Sequence, residues 1–366
     1  MSSARPVEEP LAETLSAAPF VRVAAASDGD SLAAAGLLAR ACAERAIPFQ
    51  LRLDDEAAAA TEDAVTVSVG PTAVDGDASL DHPASPTAFT VARRLGADHD
   101  PVLALAGTIA AGETVRAAED ALEAAQEAGL IDREPGLALP TDEIPADLAA
   151  STLLHGPASG DEAAAAAVVT ELESEEEFSR RLASLVTIDA VAAEDATERA
   201  ARGIERALRP YRTPDAPFAT LGGYADVLNA AARSSPAAGI ALALGEHDGA
   251  DETALAAWRE YGRAVHEGLR TAETRRHHGV WVLETDADPA VLPAVARLGR
   301  DFRSPEPVAL ALTEGAAAAA GESGVGDAVS TAADAVGGTG LGTDATGRAR
   351  FDTDTEQFTE TFRETV

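Results

Sequence analysis

The 366-residue chain contains no lysine: all 28 of its basic residues are arginine, set against 62 Asp and Glu, for a formal net charge of −34. It has one cysteine, Cys42, which excludes a disulfide framework and a thiolate metal site. Aromatics are only 4% of residues, so a core must be built from Ala, Val and Leu in closely packed elements. No apolar run approaches the ~20 residues of a membrane helix. The start, MSSARPVEEPLAE, lacks the charged-then-apolar pattern of a secretory signal. The expectation is a cytoplasmic protein with no membrane partner.

What is present is acid. A net charge of −34 repels itself in dilute solution. At molar salt the Debye length falls to about 3 Å and the repulsion is screened. Dense carboxylates without lysine therefore fit a protein of a salt-in halophile. Acidity alone does not exclude nucleic acid, but contact with it would fall to clustered arginines. The dense basic points are Arg93-Arg94, Arg180-Arg181, Arg275-Arg276 and the series Arg297, Arg300, Arg303. Each is also an ordinary partner for nearby carboxylates. Arg300 and Arg303 are the best candidates for phosphate.

Hydrophobic residues reach 46%, enough for two globular domains. Phe20–Ala25 reads as a buried strand, Leu32–Ala46 as an alanine-rich helix, and Pro48–Leu53 and Ala64–Gly70 as further strands. That order predicts a parallel sheet covered by helices. A loop follows at Pro71–Pro86, then helices at Thr87–Leu95, Pro101–Ala111 and Glu113–Ala128. Residues 129–160 read as irregular and 161–208 as helical, with a solvated glutamate run at Glu171–Glu177. Arg209–Pro217, with three prolines in nine residues, predicts a linker. Beyond it come a helix at Leu221–Arg233, a short apolar segment at Gly239–Leu244 and a long helix at Glu252–Arg275. Gly279–Glu284, Pro307–Leu312 and Ala349–Phe351 read as strands. Pro289–Arg297, Val325–Ala335 and the stretch from Thr355 read as helices. The alanine runs Ala57–Ala60, Ala163–Ala167 and Ala316–Ala320 read as compositional bias.

The chemistry-bearing segment is VRVAAASDGDSLAAAGLLARA. Asp28 and Asp30 stand at the carboxyl end of the first strand, where open α/β sheets place ligands. Two carboxylates there suit a divalent cation for phosphoryl chemistry. The plainer reading is that Asp30 caps the helix and Asp28 is solvated.

This segment resembles the first motif of the DHH phosphoesterases, His-x-Asp-x-Asp-Gly before an alanine-rich helix. Asp28 and Asp30 fall on its aspartates, Ala26 on its histidine and Ser31 on its glycine. The family's Asp-His-His triplet has no counterpart, and Asp81-His82-Pro83 is the nearest approach, read as loop. LALAGTIAAG resembles the third motif, with Ala111 in place of its aspartate. GGYADVLNAAARSSPAAGIALALGE resembles a leucine-asparagine-alanine helix and Gly-Ile-x-Leu strand of archaeal RecJ-like proteins, with Asn229 and Arg233 its polar members. VGGTGLGTDATGRARF resembles the glycine-rich signature that closes a DHHA1 domain and presents amides to phosphate. Gly337, Gly338, Gly340, Gly342 and Gly347 match it, and Thr343 replaces its histidine.

The resemblance, over roughly 20–366, implies a fold class: an α/β chain with a DHH-type parallel sheet domain and flanking helices, plus a smaller α/β DHHA1-like domain. The divisions it implies are a flexible 1–16, a DHH-like domain at 17–208, a linker at 209–217 and a DHHA1-like domain with inserted helices at 218–366. Two metal-ligand remnants, Asp28 and Asp30, cannot hold a binuclear centre. The leading expectation is a nuclease-inactive RecJ-like scaffold of replication or repair, with a GINS-type complex and single-stranded DNA or RNA as partners and no cofactor. Phosphate contact would fall to Gly337, Gly338, Gly340, Gly342, Thr343, Arg300 and Arg303. The alternative is an active Mn- or Mg-dependent single-strand exonuclease or small-phosphoester phosphatase, with ligands from Asp75, Asp77, Asp81 or His82. A third possibility is a regulatory module binding a small nucleotide at Gly337–Gly347.

Overall fold

The computed structural model describes residues 8–53, 64–172, 177–192, 196–246 and 249–366. The chain opens with α1 (Glu8–Ala17), β1 (Val21–Ala25), α2 (Gly29–Glu44), β2 (Phe49–Leu53), β3 (Val65–Val69) and β4 (Ala78–Leu80). Next come α3 (Ser85–Arg94), α4 (Pro101–Ala110), α5 (Glu119–Glu127) and β5 (Asp132–Arg133). Helices α6 (Ile144–Ala150), α7 (Glu162–Leu172), α8 (Phe178–Ala192) and α9 (Glu198–Glu205) follow. After β6 (Tyr211–Arg212) lie α10 (Leu221–Ser234), α11 (Pro236–Leu244) and α12 (Ala250–Thr271). The remainder is β7 (Glu273–His277), β8 (Val280–Glu284), α13 (Leu292–Leu298), β9 (Val308–Thr313), β10 (Ala316–Ala320), α14 (Val325–Ala335), β11 (Thr339–Gly342), β12 (Thr346–Arg350) and α15 (Thr355–Thr365).

Two compact units result, each drawn from two stretches of chain: 1–134 with 211–258, and 135–210 with 259–366. This is a different partition from the linear one expected. The chain passes between units at 134/135, inside the stretch read as one domain, at 210/211, inside the expected linker, and at 258/259, within α12.

In the first unit four parallel strands run in the order β2-β1-β3-β4. Strand β1 lies between β2 and β3, so Val21, Val23, Ala24 and Ala25 are all buried. A sheet covered on both faces requires such continuous apolar strands. Helix α2 packs against α3, α4, α10 and α11. Its run of Ala and Gly lets four neighbours approach one helix. The Pro71–Pro86 stretch holds β4 and the start of α3 rather than loop alone. The short apolar segment Gly239–Leu244, which the resemblance likened to a strand, is part of α11, which opens with Pro236 and closes on Gly245 at φ 82°.

The second unit carries a six-stranded sheet in the order β11-β12-β10-β9-β8-β7, parallel only between β8 and β9. Val280, Val282, Leu310 and Leu312 form a core with Val329 of α14 and with Phe358 and Phe362 of α15. Gly299, just past α13, lies against Trp281 and Leu283, which face the other way. The unit is therefore three layers. Ala316–Ala320 is not compositional bias but the buried strand β10. The long helix ends at Thr271, and Glu273–His277 is an edge strand. Within 129–160 sits α6, and 161–208 resolves into α7, α8 and α9. Part of the Glu171–Glu177 run, and all of Ala57–Ala60, lie outside the described residues.

Two histidines meet in this unit. His266, fully buried, has Nε2 3.0 Å from the Ser151 carbonyl, and its Nδ1 is 3.2 Å from Nδ1 of His155. A carbonyl only accepts, so His266 carries its proton on Nε2. Its Nδ1 then accepts from the Nδ1–H of His155. Burial pushes His266 down to about 4 and His155 down to about 3, with His266, Arg303 and Arg270 adding to burial at His155. Both rings are neutral in the fold. Below about pH 6.5 the unfolded chain takes up protons that the folded one refuses. The contribution is therefore whole above that pH and declines as pH falls toward 4 and 3. Between about pH 7 and pH 5 the expected loss is on the order of 2 kcal/mol per ring. Urea unfolding at fixed high salt measures it, and an unchanged midpoint across that interval contradicts it.

Candidate functional site

The carboxyl ends of β1 and β3 adjoin where the strand order reverses, the position at which open parallel sheets bind ligands. Asp28 there adopts an extended backbone and caps α2, accepting from Ser31 N at 2.8 Å and Ser31 Oγ at 3.0 Å. The cap is thus Asp28, not Asp30. An aspartate here satisfies an orphan amide and faces the positive end of the helix dipole.

Asp30, the second residue of α2, is fully buried and faces α3. Its Oδ2 accepts from Ala84 N at 2.6 Å and its Oδ1 from Ser85 N at 2.9 Å. These amides open α3, whose own capping residue, Ala84, supplies no side-chain bond. Asp30 therefore supplies from α2 the cap that α3 lacks.

His82 comes to the same carboxylate, with Nδ1 3.5 Å from Asp30 Oδ2. Its Nε2 lies 3.1 Å from the Ala111 carbonyl. The Asp30 bond raises the affinity of the imidazole for a proton, against the opposing effect of burial. A ring placed between a carboxylate and a carbonyl is best served as the doubly protonated cation. His82, read from sequence as loop, thus belongs to the site, while Asp81 is exposed. The signal was its place beside Asp81 in a remnant of the triplet.

The rest of the surround is small or amide-bearing. Ala26 is buried. Gly70 ends β3 at φ 72°, and a Cβ there would stand 2.1 Å from Ser31 Oγ, so only glycine fits. Asn229 of α10 accepts from Gly29 N at 3.0 Å and donates to the Ala110 carbonyl at 3.2 Å, tying α2 to α4. Arg233, one turn on, donates to Asn229 Oδ1 at 3.1 Å. Asp75 is exposed, and Asp77 accepts from Thr66 N at 2.8 Å, at the opposite end of β3. Among the described residues no three or more His, Cys, Asp or Glu side chains are grouped to hold a metal. The donors here do not fit the binuclear centre that a phosphoesterase of this fold would use.

In the second unit the glycine-rich segment 337–347 packs against its own helix. A Cβ at Gly340 would stand 2.7 Å from Ser330 Cα, one at Gly342 2.8 Å from Gly326 Cα, and one at Gly347 2.7 Å from Val329 Cγ2. The opening amides of α14 are occupied by the turn: Gly326 N donates to the Thr343 carbonyl and Val325 N to the Asp344 carbonyl, both at 2.9 Å. Gly337 turns the chain at φ 76°, and Gly338 lies against the Arg350 carbonyl. Close backbone approach accounts for these glycines. Of the basic points, Arg93 pairs with Asp120, Arg180 with Glu177, Arg275 with Glu284 and Arg276 with Glu306. Arg300 pairs with Asp301 at 3.1 Å and approaches Glu322 at 3.7 Å. Arg303 donates to the Leu269 carbonyl at 3.3 Å and bears on His155.

This architecture is the RecJ-like, DHH-type fold. Over 98% of both chains it superposes on CDC45 from Entamoeba histolytica with a TM-score of 0.59 at 6% identity. It also superposes on RecJ from Thermus thermophilus, in complex with Mg2+, with a TM-score of 0.52 at 15% identity. All of this chain is covered there but only 52% of RecJ, so it spans about half of that protein. The chain belongs to the family of the Haloarcula marismortui protein named "Uncharacterized protein rrnAC1427", with which it is 44% identical over 377 residues, 97% of this chain and 96% of the relative. The model of that family's C-terminal domain matches residues 272–364, from β7 into α15. Among the described residues no helix is long and apolar enough to cross a membrane.

Proposed function

We propose that this chain is a non-catalytic RecJ-like protein that acts by binding, as a scaffold at replication or repair sites of a salt-adapted cell. One observation carries the reading. Both carboxylates at the tip of β1 are committed to the fold, Asp28 to the start of α2 and Asp30 to the start of α3 and to His82. Two carboxylates and one imidazole, each already engaged in the fold, are too few donors to hold a pair of cations. Ala26 and Ala111 remove further donors, and Mn or Mg has no part in this reading. The likeness of fold to CDC45 runs across nearly the full length of both chains, and the resemblance of the motifs to archaeal RecJ-like proteins suggests a role beside replication proteins, with a GINS-type complex as protein partner. Single-stranded nucleic acid is the second partner, met by arginines rather than by the 337–347 turn, whose neighbouring amides are occupied. Incubation of 5′-labelled single strands with Mn2+ at molar KCl should give no degradation. Turnover that disappears in Asp28→Ala would overturn the proposal.

A further inference from the structure

In a chain whose residues are 25% charged, helix α8 (FSRRLASLVTIDAVA) of the second unit carries only Arg180, Arg181 and Asp189. It packs against α7 and α9, and its Leu182, Ala183, Val186 and Ala190 are buried. On the opposite side stand Arg181, Ser184, Leu185, Ile188, Val191 and Ala192, at the spacing of three and four residues that keeps to one face of a helix. Leu185 is half-buried and the others are exposed. Ile188 is 58% exposed and Val191 42%. Val366 is the third large apolar side chain so exposed among the described residues. A single such residue would mean nothing, but two stand one turn apart on one helix face. A helix apolar on two opposite faces needs a neighbour on both. Outside the described residues the sequence offers Met1 and Val7 as large apolar side chains and is otherwise mostly Ala, Ser, Asp and Glu. Those segments are poorly suited to cover the stripe.

We infer that a second copy of the chain docks here, α8 against α8, antiparallel. The stripe is complementary to its own reverse. About a twofold axis between Val186 and Thr187, Ile188 of each copy meets Leu185 of the other. Arg181, in the first turn, meets Ala192, in the last. There the guanidinium finds Asp189 and the carbonyls at the negative end of the helix. The basic end meets the acidic end twice, as an isologous contact requires. Parallel pairing would instead set Arg181 against Arg181. Charge also decides when the contact forms. Two chains of net charge −34 repel each other in dilute solution. At molar salt the Debye length is about 3 Å, so the repulsion is screened and the apolar contact is not. A contact a few helical turns long falls short of the ~800 Å² per partner of a standard interface, so the dimer is weak, with a Kd on the order of 10–100 µM.

Sedimentation equilibrium of the full chain at molar KCl, from ~1 µM to ~1 mM, is the test. Wild type should pass from monomer to dimer across that range. Ile188→Ser/Val191→Ser should stay monomeric, a weakening of ~100-fold or more, because each dimer loses four apolar side chains. Both positions are exposed, so its far-UV circular dichroism should match wild type. Val366→Ser, which removes the other exposed large apolar side chain, should dimerise as wild type does. A wild type that is monomeric up to ~1 mM overturns the inference without any variant having to fold, and leaves the stripe to a different protein. A dimer that survives the paired serines places the interface elsewhere and overturns it as well.

Discussion

Asp30→Ala is expected to destabilise the protein by about 3–5 kcal/mol, the range for breaking a buried charge network by removing one partner. The side chain is fully buried and accepts from Ala84 N and Ser85 N. Its removal strands two amides at the start of α3, where Ala84 provides no substitute. It also leaves His82 charged without its counter-ion, or forces it neutral. Asp28→Ala is the contrast. It deletes an ordinary N-cap to Ser31, worth about 1 kcal/mol. In an active metal site both substitutions would remove activity together while leaving stability nearly alone. Guanidinium unfolding at constant molar salt separates the cases. An Asp30→Ala protein within 1 kcal/mol of wild type would show that the carboxylate is not the cap of α3.

That role is the part of the site the sequence could not disclose. Loss of ligands is legible, because Ala26 and Ala111 stand where donors would be needed. The fate of the survivors is not, because the amides that hold Asp30 lie 54 and 55 residues further on. Strands β1 and β3 were legible from their apolar runs, and Val325–Ala335 was read as a helix with the bounds of α14. Strand β10 was not. Five alanines have no period and disfavour strands, and they form one here because the position is central, paired with β9 and β12 and covered on both faces. Helix α11 had signals that its reading as a short apolar segment passed over, with Pro236 at its first turn and Gly245 at its end. The alternating units are a further case. The crossing at 134/135 falls at Pro135-Gly136, in a stretch read only as irregular, while nothing local marks 258/259, which falls inside a continuous helix.

The second large effect is expected where α12 crosses α6. A Cβ on Gly262 would stand 1.8 Å from the Ala150 carbonyl oxygen and 2.7 Å from its carbon. Those are backbone atoms and cannot rotate away, so Gly262→Ala must push the helices apart. The crossing is fastened on both sides of Gly262. One turn earlier Arg259 donates to the fully buried Asp147 of α6 at 2.8 Å, and one turn later His266 bonds the Ser151 carbonyl at 3.0 Å. Separation strains both at once, and Asp147 also holds Thr141 N at 2.8 Å. The expected cost is about 3 kcal/mol or more, the upper end for overpacking, because neither fastening can follow the displaced backbone. Gly156→Ala in the same unit is the control: nothing lies within 4 Å of its added methyl. Equal unfolding midpoints for the two variants would mean that α6 and α12 do not cross at Gly262. A large loss confined to Gly262→Ala would fix the contact on which the loop 151–160 is hung.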